Sequence, residues 1–285
     1  MKRRQQMKTF HIAMLTATAL ALGACSSDTV EGDGDVFRRG AFEETVDGQR
    51  MVFMPSEDNP EEVVFTWDRI NQNYINNNIT SSTKYSGEIT VPATVTHEGR
   101  QYRVRGVDDY SFFYCSKLTG ITVSEGVEHW GDHQLVRSNN ITKLILPSTI
   151  KNMKEVPYAY CAKFGKLKTV QLPPVEAIGD SAFCSCIALT SITLPEGCRR
   201  LGRYALARAN KLTTLTLPST MEEIGEKCFA SCSKLLELHV RATTPPRMAS
   251  DFDNAPNATL YVPKGAATAY QADEKWGQFL NVIEE

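Results

Sequence analysis

The stretch Leu212–Leu217 reads L-T-T-L-T-L, and it is followed by Pro218, by Ile224-Gly225 and by Phe229-x-x-Cys232. The same sequence motif, called the phrase below, recurs along the chain. Its copies begin at Leu118, Ile141, Leu167, Leu189, Leu212 and Leu235. Successive copies therefore lie 23, 26, 22, 23 and 23 residues apart. A period of this length indicates a chain built from short repeats, each of which packs only on its neighbours.

The head of each repeat predicts the fold class. An L-x-x-L-x-L head at a period of about 20 to 29 residues is typical of a leucine-rich repeat solenoid. We therefore predict a mostly β chain with short helical turns, arranged as a right-handed leucine-rich repeat solenoid of about six repeats over residues 85–240. The first repeat is the longest and runs from Tyr85 to Cys115.

Alignment of the copies shows which side chains face inward. The third apolar residue of the head is followed by proline at positions 147, 173, 195 and 218. Proline cannot extend a strand ladder, so we predict that each short strand ends there. Two more apolar columns follow, and they contain Met221 and Ile224 in one copy and Trp130 in another. These columns form the predicted core.

Two stretches carry a resemblance to a known family. Residues 189–202 read L-T-S-I-T-L-P-E-G-C-R-R-L-G, and residues 212–232 read L-T-T-L-T-L-P-S-T-M-E-E-I-G-E-K-C-F-A-S-C. They resemble BspA-type leucine-rich repeats, in which I-G-x-x-A-F-x-x-C replaces the asparagine of the commoner repeats. The resemblance covers about residues 85–240.

Members of that family are mostly described as cell-surface adhesion or interaction proteins. The resemblance therefore implies a non-catalytic surface lipoprotein whose solenoid binds host or neighbouring-cell proteins or glycans. The alternative is a structural or assembly subunit of the cell envelope that has no external ligand.

The N-terminus has the composition of an export signal. A basic head precedes the apolar run Phe10–Leu22, which is short for a membrane span, and the segment ends in Leu22-Gly23-Ala24-Cys25. This ending resembles the bacterial lipobox, so we predict a lipoprotein signal peptide over residues 1–24 and lipidation of Cys25. The alternative is an ordinary secreted protein in which Cys25 is a free thiol. Acyl chains on Cys25 would anchor the protein in a membrane.

The remaining segments flank the repeats. Residues 25–40 are small and acidic and are predicted to be a flexible tether, residues 41–84 an N-terminal β cap, and residues 241–285 a C-terminal cap with a strand and a helix. The N-terminal cap contains Asp47-Gly48, which is typical of a tight hairpin turn. We expect an outer membrane lipoprotein exposed at the cell surface, with a periplasm-facing protein as the alternative.

Several cysteines lie in core columns. Cys115, Cys186 and Cys232 share a column with Ala209, so we interpret them as small core residues and not as half-cystines. Cys186 and Cys232 lie two repeats apart, roughly 10 Å at the strand spacing, which is beyond the roughly 7 Å limit for a disulfide. Cys228 falls in another core column.

The same separation excludes a zinc site built from Cys184, Cys186, Cys228 and Cys232, because all four sulfurs would have to reach one ion. One disulfide remains possible, since Cys161 could pair with Cys184 or with Cys186 in the next repeat.

Other chemistry is weakly indicated. His129-x-x-x-His133 has the spacing of a metal pair on a helix, but Gly131 interrupts it, and we predict no metal and no cofactor. Motifs of hydrolases, phosphate loops and zinc proteases are missing, so we predict that the chain is not an enzyme. The adjacent carboxylates Glu222-Glu223 are interpreted as a solvated face. With 31 basic and 33 acidic residues the net charge is −2, which argues against nucleic acid as a partner. We expect a monomer.

The outward positions of the repeat strands remain as a candidate site. They form two polar columns whose members are expected about 4.8 Å apart along the solenoid. The candidate ligand-binding residues are Lys143, Thr169, Gln171, Ser191, Thr193, Thr214, Thr216, Glu237 and His239. Threonine is also favoured on any exposed strand face, so the pattern has a plain structural explanation as well.

Overall fold

The structure is a computed structural model that describes residues 41–56, 58–66, 74–75, 78–79, 85–109, 111–112, 115–131, 135, 138–153, 155–156, 165–252 and 257–285. The predictions for the signal peptide, for Cys25 and for the whole tether lie outside these residues, as do Cys161 and His133.

An N-terminal sheet is formed by six strands in the order β1-β2-β3-β8-β10, with β7 paired to β8. The strands are β1 (Phe42–Val46), β2 (Gln49–Pro55), β3 (Glu62–Thr66), β7 (Thr94–His97), β8 (Arg100–Val107) and β10 (His129–Trp130). β1 and β2 form the hairpin that Asp47-Gly48 predicted, and both turn residues have positive φ angles, 51° and 76°. A separate two-stranded ladder joins β4 (Tyr74–Ile75) and β5 (Asn78–Ile79).

The strands at the heads of the repeats form two parallel sheets, which we call the front sheets. The first contains β6 (Gly87–Val91), β9 (Leu118–Val123), β11 (Lys143–Ile145) and β13 (Thr169–Gln171). The second contains β15 (Ser191–Thr193), β17 (Thr214–Leu217), β19 (Glu237–Val240), β21 (Thr259–Val262) and β22 (Asn281–Glu284). Every ladder between neighbouring strands in these sheets is parallel, as expected when each repeat returns to the same place.

A third parallel sheet, the back sheet, is made of two-residue strands. They are β12 (Glu155–Val156), β14 (Ala177–Ile178), β16 (Arg200–Leu201), β18 (Glu223–Ile224) and β20 (Arg247–Met248). After β21 follow helix α1 (Ala267–Ala272) and a 3-10 helix (Trp276–Gln278). The architecture is a mostly β solenoid of about seven turns, which confirms the predicted fold class with one turn more than the six repeats expected.

One continuous core runs through the solenoid and is filled by the predicted columns. In the clearest repeat Leu212, Leu215 and Leu217 are fully buried, and Met221 and Ile224 are 3% and 1% exposed. The same core extends into the end segments, where Phe53 and Trp276 are fully buried. Since each repeat buries its apolar side chains against the next one, no repeat has a complete core of its own.

A column of glycines sets the distance between successive turns of the back sheet. Gly131, Gly202 and Gly225 each follow a back-sheet or equivalent strand, and a Cβ atom on any of them would lie 2.5 to 2.6 Å from backbone atoms of the preceding turn. Real Cβ atoms essentially never approach so closely. Close packing of neighbouring turns, and not a positive φ angle, therefore requires glycine in this column.

Candidate functional site

The front sheets place the nine predicted ligand residues in two columns. The first column aligns Lys143 with Thr169, and Ser191 with Thr214 and Glu237. The second aligns Gln171 with Ile145, and Thr193 with Thr216 and His239. All nine are exposed or half-exposed. The residue between the two columns of each strand turns into the core, where it is buried except for the half-buried Val170. The alternation follows from the two-residue period of a strand.

The hydrogen-bonded ladder beneath the two columns is interrupted, which the sequence did not predict. Among the described strands the front is divided into two sheets between β13 and β15. The division falls where the repeat length changes from 26 to 22 residues. It separates Lys143, Thr169 and Gln171 from the other six predicted residues, so the structure gathers only those six into one regular ladder.

Side chains of this ladder contact one another across strands. The hydroxyl of Thr214 donates to Glu237 Oε2 at 3.2 Å. In the first front sheet, Lys143 Nζ lies 3.1 Å from Glu88 Oε2. This ion pair joins β11 to β6 and crosses β9, which lies between them. These contacts are exposed and contribute little to stability, so the polar groups remain available to a ligand at low cost.

His239 lies at the C-terminal end of the ladder in a stack that the sequence did not reveal. Its ring is parallel to that of Tyr261 on the next strand, with ring centroids 4.3 Å apart and planes 6° apart. Its Nδ1 atom lies 3.0 Å from Glu285 Oε1. Because each ring covers one face of the other, this pair presents ring edges and carboxylates to solvent more than an open aromatic face.

Three exposed aliphatic side chains, those of Leu236, Leu280 and Ile283, also lie at this end. Among the described residues, the large hydrophobic side chains that are exposed are Ile187, Leu236, Leu280 and Ile283. Leu236 directly precedes β19, Leu280 directly precedes β22, and Ile283 pairs with Tyr261. Leu280 and Ile283 follow the last aligned repeat. Ile187 and Leu236 precede strands and lie outside the two outward columns, so the repeat alignment did not single them out.

A contact between repeats was also missed. Glu125 accepts hydrogen bonds from the backbone N–H of Ser148 at 2.9 Å and from its hydroxyl at 3.0 Å. The equivalent contacts join Glu196 to Ser219 at 3.2 and 2.9 Å. These bonds, led by the one from the Ser148 backbone, lower the pKa of Glu125. The signal in the sequence is an E-G pair followed one repeat later by S-T.

The back of the solenoid carries charges of both signs. Glu128 lies 2.8 Å from Lys151 and 2.5 Å from Arg103, and these two cations, Lys151 first, lower its pKa to about 2. Nearer the C-terminus, the back sheet and the residues before its strands form a groove of 490 Å³, whose lining residues are Glu176, Ala177, Arg199, Arg200, Glu222, Glu223 and Arg247. The prediction that Glu222-Glu223 is a solvated face agrees with their place on this open surface.

The cysteines that the sequence assigned to the core are buried. Cys115, Cys186, Cys228 and Cys232 are at most 2% exposed. Burial raises the pKa of Cys198 to about 11 and that of Cys228 higher still, which keeps both protonated. Cys161, for which the sequence left a pairing with Cys184 or Cys186 open, lies outside the described residues, so that pairing stays a prediction.

His129 lies in β10 and not on a helix, so the spacing to His133 loses the meaning it would have on a helix. Burial lowers the pKa of His129, and the charge of Arg105 adds to this effect. Within the described part of the chain no group of three or more His, Cys, Asp or Glu side chains could hold a metal ion. The described residues also include no helix long and apolar enough to span a bilayer.

The stacked parallel strands, the single continuous core and the glycine column define a leucine-rich repeat protein. The sequence pattern of the BspA type leucine rich repeat region matches this chain in six copies, over residues 100–165 and 156–265. Because the match covers more than half of the chain, the chain belongs to the BspA-type leucine-rich repeat family.

Comparison with curated proteins finds no match. Among solved structures, a leucine-rich repeat protein of T. pallidum is 19% identical over 66% of this chain and 80% of its own, with a TM-score of 0.47. One from Bacteroides ovatus is 15% identical over 82% of this chain and 75% of its own, also with a TM-score of 0.47. A leucine rich cell surface protein from Faecalibacterium prausnitzii is 15% identical over 86% of this chain and 94% of its own, with a TM-score of 0.28.

Proposed function

We propose that this protein is a non-catalytic interaction module that binds an extended segment of a host or neighbouring-cell protein on its front sheets. The observation that carries the proposal is the register of the second front sheet. It holds Ser191, Thr214 and Glu237 in one column and Thr193, Thr216 and His239 in the other. Such columns offer a flat row of polar groups at regular strand spacings of about 4.8 Å.

The C-terminal end of this sheet favours a protein over a glycan. Leu236, Leu280 and Ile283 give apolar contact area, while Glu237 and Glu285 supply carboxylates. A peptide offers both apolar and basic side chains to such a surface. A glycan would be favoured by an open aromatic face, and His239 and Tyr261 cover one face of each other. Glycan binding therefore stands as the second outcome of the experiment below.

The test is capture by the purified chain on a panel of extracellular-matrix proteins and on a glycan array. We expect the combined change of Thr193, Thr214 and Thr216 to lysine to weaken capture by about tenfold or more, since long cations would displace short hydroxyl groups from the centre of the ladder. The fold should persist, because all three side chains point away from the core.

A matched control adds the same charge elsewhere. Ser233, Thr243 and Thr244 are exposed and lie outside the two columns, so their combined change to lysine should leave capture unchanged. Equal capture by both triple variants would show that the front sheets are not the binding site. Selective capture of a glycan in place of a matrix protein would change the assigned ligand class.

The proposal also includes a lipid anchor at Cys25 and exposure at the outer face of the outer membrane. It is supported by the L-G-A-C ending of the apolar N-terminal segment and by membership of a family mostly described at cell surfaces. Treatment of intact cells with a protease should remove the protein from blots within the time that removes a known surface protein. Complete protection would favour the alternative, a periplasm-facing structural subunit. A Cys25→Ser variant should release the mature chain from the membrane fraction.

A further inference from the structure

The charged groove lies on the back sheet, away from the front sheets, and its charges alternate in sign along the solenoid. Each turn contributes one band of charge, and the bands follow one another as Glu176, Arg199-Arg200, Glu222-Glu223 and Arg247. The register fixes this order, because Ala177 pairs with Arg200, Arg200 with Glu223, and Glu223 with Arg247. The four bands cover about 14 Å along the solenoid at the usual strand spacing.

Ion pairs within the chain join the second band to the third and the third to the fourth. Arg199 forms an ion pair with Glu222, and Arg247 lies 2.7 Å from Glu223 Oε1. The side chains in these pairs are 38% to 76% exposed, so water screens them and they add little to the stability of the fold. These pairs explain why the sign alternates from turn to turn. A partner can still reach these charges, since five of the six charged residues are exposed and Glu223 is half-exposed.

If the order of the four bands is reversed, each position carries the opposite charge to the one it carried before. Read backwards, the sequence acid, base, acid, base becomes base, acid, base, acid. We propose that the back sheet is a self-association surface on which a second copy of this chain docks face to face with its solenoid axis reversed. A two-fold axis between the second and third bands then places Arg199-Arg200 of each copy against Glu222-Glu223 of the other. Glu176 of each copy faces the band of Arg247.

The same charges disfavour a face-to-face dimer in which the two solenoid axes run in the same direction. If the two solenoid axes ran in the same direction, each band would meet its own copy, with Arg200 against Arg200 and Glu223 against Glu223. Like charges opposite one another are strongly unfavourable across an interface. The charge pattern therefore selects one orientation of the partner.

The choice of arginine fits this role. All the cations of the groove are arginines, and a guanidinium has five N–H donors, enough to bridge a carboxylate of its own chain and one of the partner. With three arginines and three glutamates the surface carries no net charge, so two acidic molecules can approach each other there. The groove between the side chains leaves room for those of a second copy.

The expected dimer is weak and sensitive to salt. A contact of four short strands lies below the area of a stable interface, and its attraction is electrostatic in origin. Dimerisation should therefore appear at low ionic strength and high protein concentration, and its dissociation constant should rise by about tenfold or more between 50 and 500 mM salt. This differs from the monomer that we expect from the sequence.

Sedimentation velocity on the purified chain tests the proposal with two reciprocal variants. The Arg199→Glu/Arg200→Glu variant and the Glu222→Arg/Glu223→Arg variant should each be monomeric, because each places like charges in opposition. An equimolar mixture of the two should dimerise again, since every band of one variant then faces the opposite charge on the other. Circular dichroism of each variant confirms that it is folded.

A control variant carries the same change of net charge away from the groove. Lys211 and Lys234 are exposed and precede β17 and β19, so Lys211→Glu/Lys234→Glu should dimerise like the wild type. A wild type that stays monomeric at every concentration and salt would overturn the proposal. It would equally be overturned by a dimer that survives both reversals, or by a mixture of the two variants that remains monomeric.

Discussion

Replacement of Gly202 by alanine is expected to lower the midpoint of thermal unfolding by about 10 °C, which corresponds to about 3 kcal/mol for a chain of this size. A single methyl group has this effect because there is no room for it. The Cβ atom would lie 2.5 Å from the backbone nitrogen of Asp180 and 2.6 Å from the carbonyl carbon of Gly179. Both atoms belong to the backbone of the preceding turn and cannot move without displacing that turn.

The loss should spread beyond one repeat, because Gly225 packs on Gly202 in the same way. A displacement of the turn that contains Gly202 therefore also changes the packing of the next turn. Circular dichroism during heating measures the midpoint, and limited proteolysis shows whether cleavage begins near residue 202. The control is Gly165→Ala, whose Cβ would lie 3.5 Å from Ile187 Cγ1, an ordinary contact. Equal midpoints for the two variants would show that close packing of the turns does not limit stability.

Replacement of Trp276 by alanine is expected to cost about 3 to 5 kcal/mol in the free energy of unfolding. Trp276 is fully buried, stacks on Phe279 at a ring distance of 6.0 Å, and meets Tyr270 edge to face at 5.3 Å. Its Nε1–H donates to the carbonyl oxygen of Pro246 at 2.7 Å. The indole thus ties the last segment to the final turns of the solenoid, and its removal leaves a cavity and an unpaired carbonyl.

Trp276→Phe separates these two effects. Phenylalanine retains most of the packing but cannot donate to Pro246, so its cost should be roughly 1 to 3 kcal/mol. Urea unfolding followed by circular dichroism measures both variants. If Trp276→Ala unfolded at the same urea concentration as the wild type, the C-terminal segment would not be part of the cooperative unit.

The fold could be predicted because the repeat makes each inward position visible several times. Cys232 alone would suggest a disulfide in an exported chain, but its column partner Ala209 shows that the position requires a small side chain, and both residues are buried. Trp130 was assigned to the core in the same way, although its repeat departs from the pattern, and it is 3% exposed.

The division of the front between β13 and β15 could not be predicted, because the repeats on both sides of it carry the same apolar positions. The stack of His239 on Tyr261 was missed for another reason. Tyr261 belongs to a strand after the last copy of the phrase, so no alignment of repeats includes it. The sequence therefore predicted which residues form the two columns. It did not predict where the ladder is interrupted or how far it extends at the C-terminal end. Which residues of the columns contact a ligand stays a prediction.

The hydrogen bonds from Ser148 to Glu125 and from Ser219 to Glu196 bear on how such an array changes in length over evolutionary time. Each carboxylate and its serine belong to successive repeats, so a gene deletion that removes the repeat of Ser219 alone would leave Glu196 without its partner. Deletion of the two repeats together removes both partners, and their duplication together keeps each carboxylate beside its serine. Related chains should therefore gain or lose these repeats in pairs, which changes the solenoid by about 10 Å at each step.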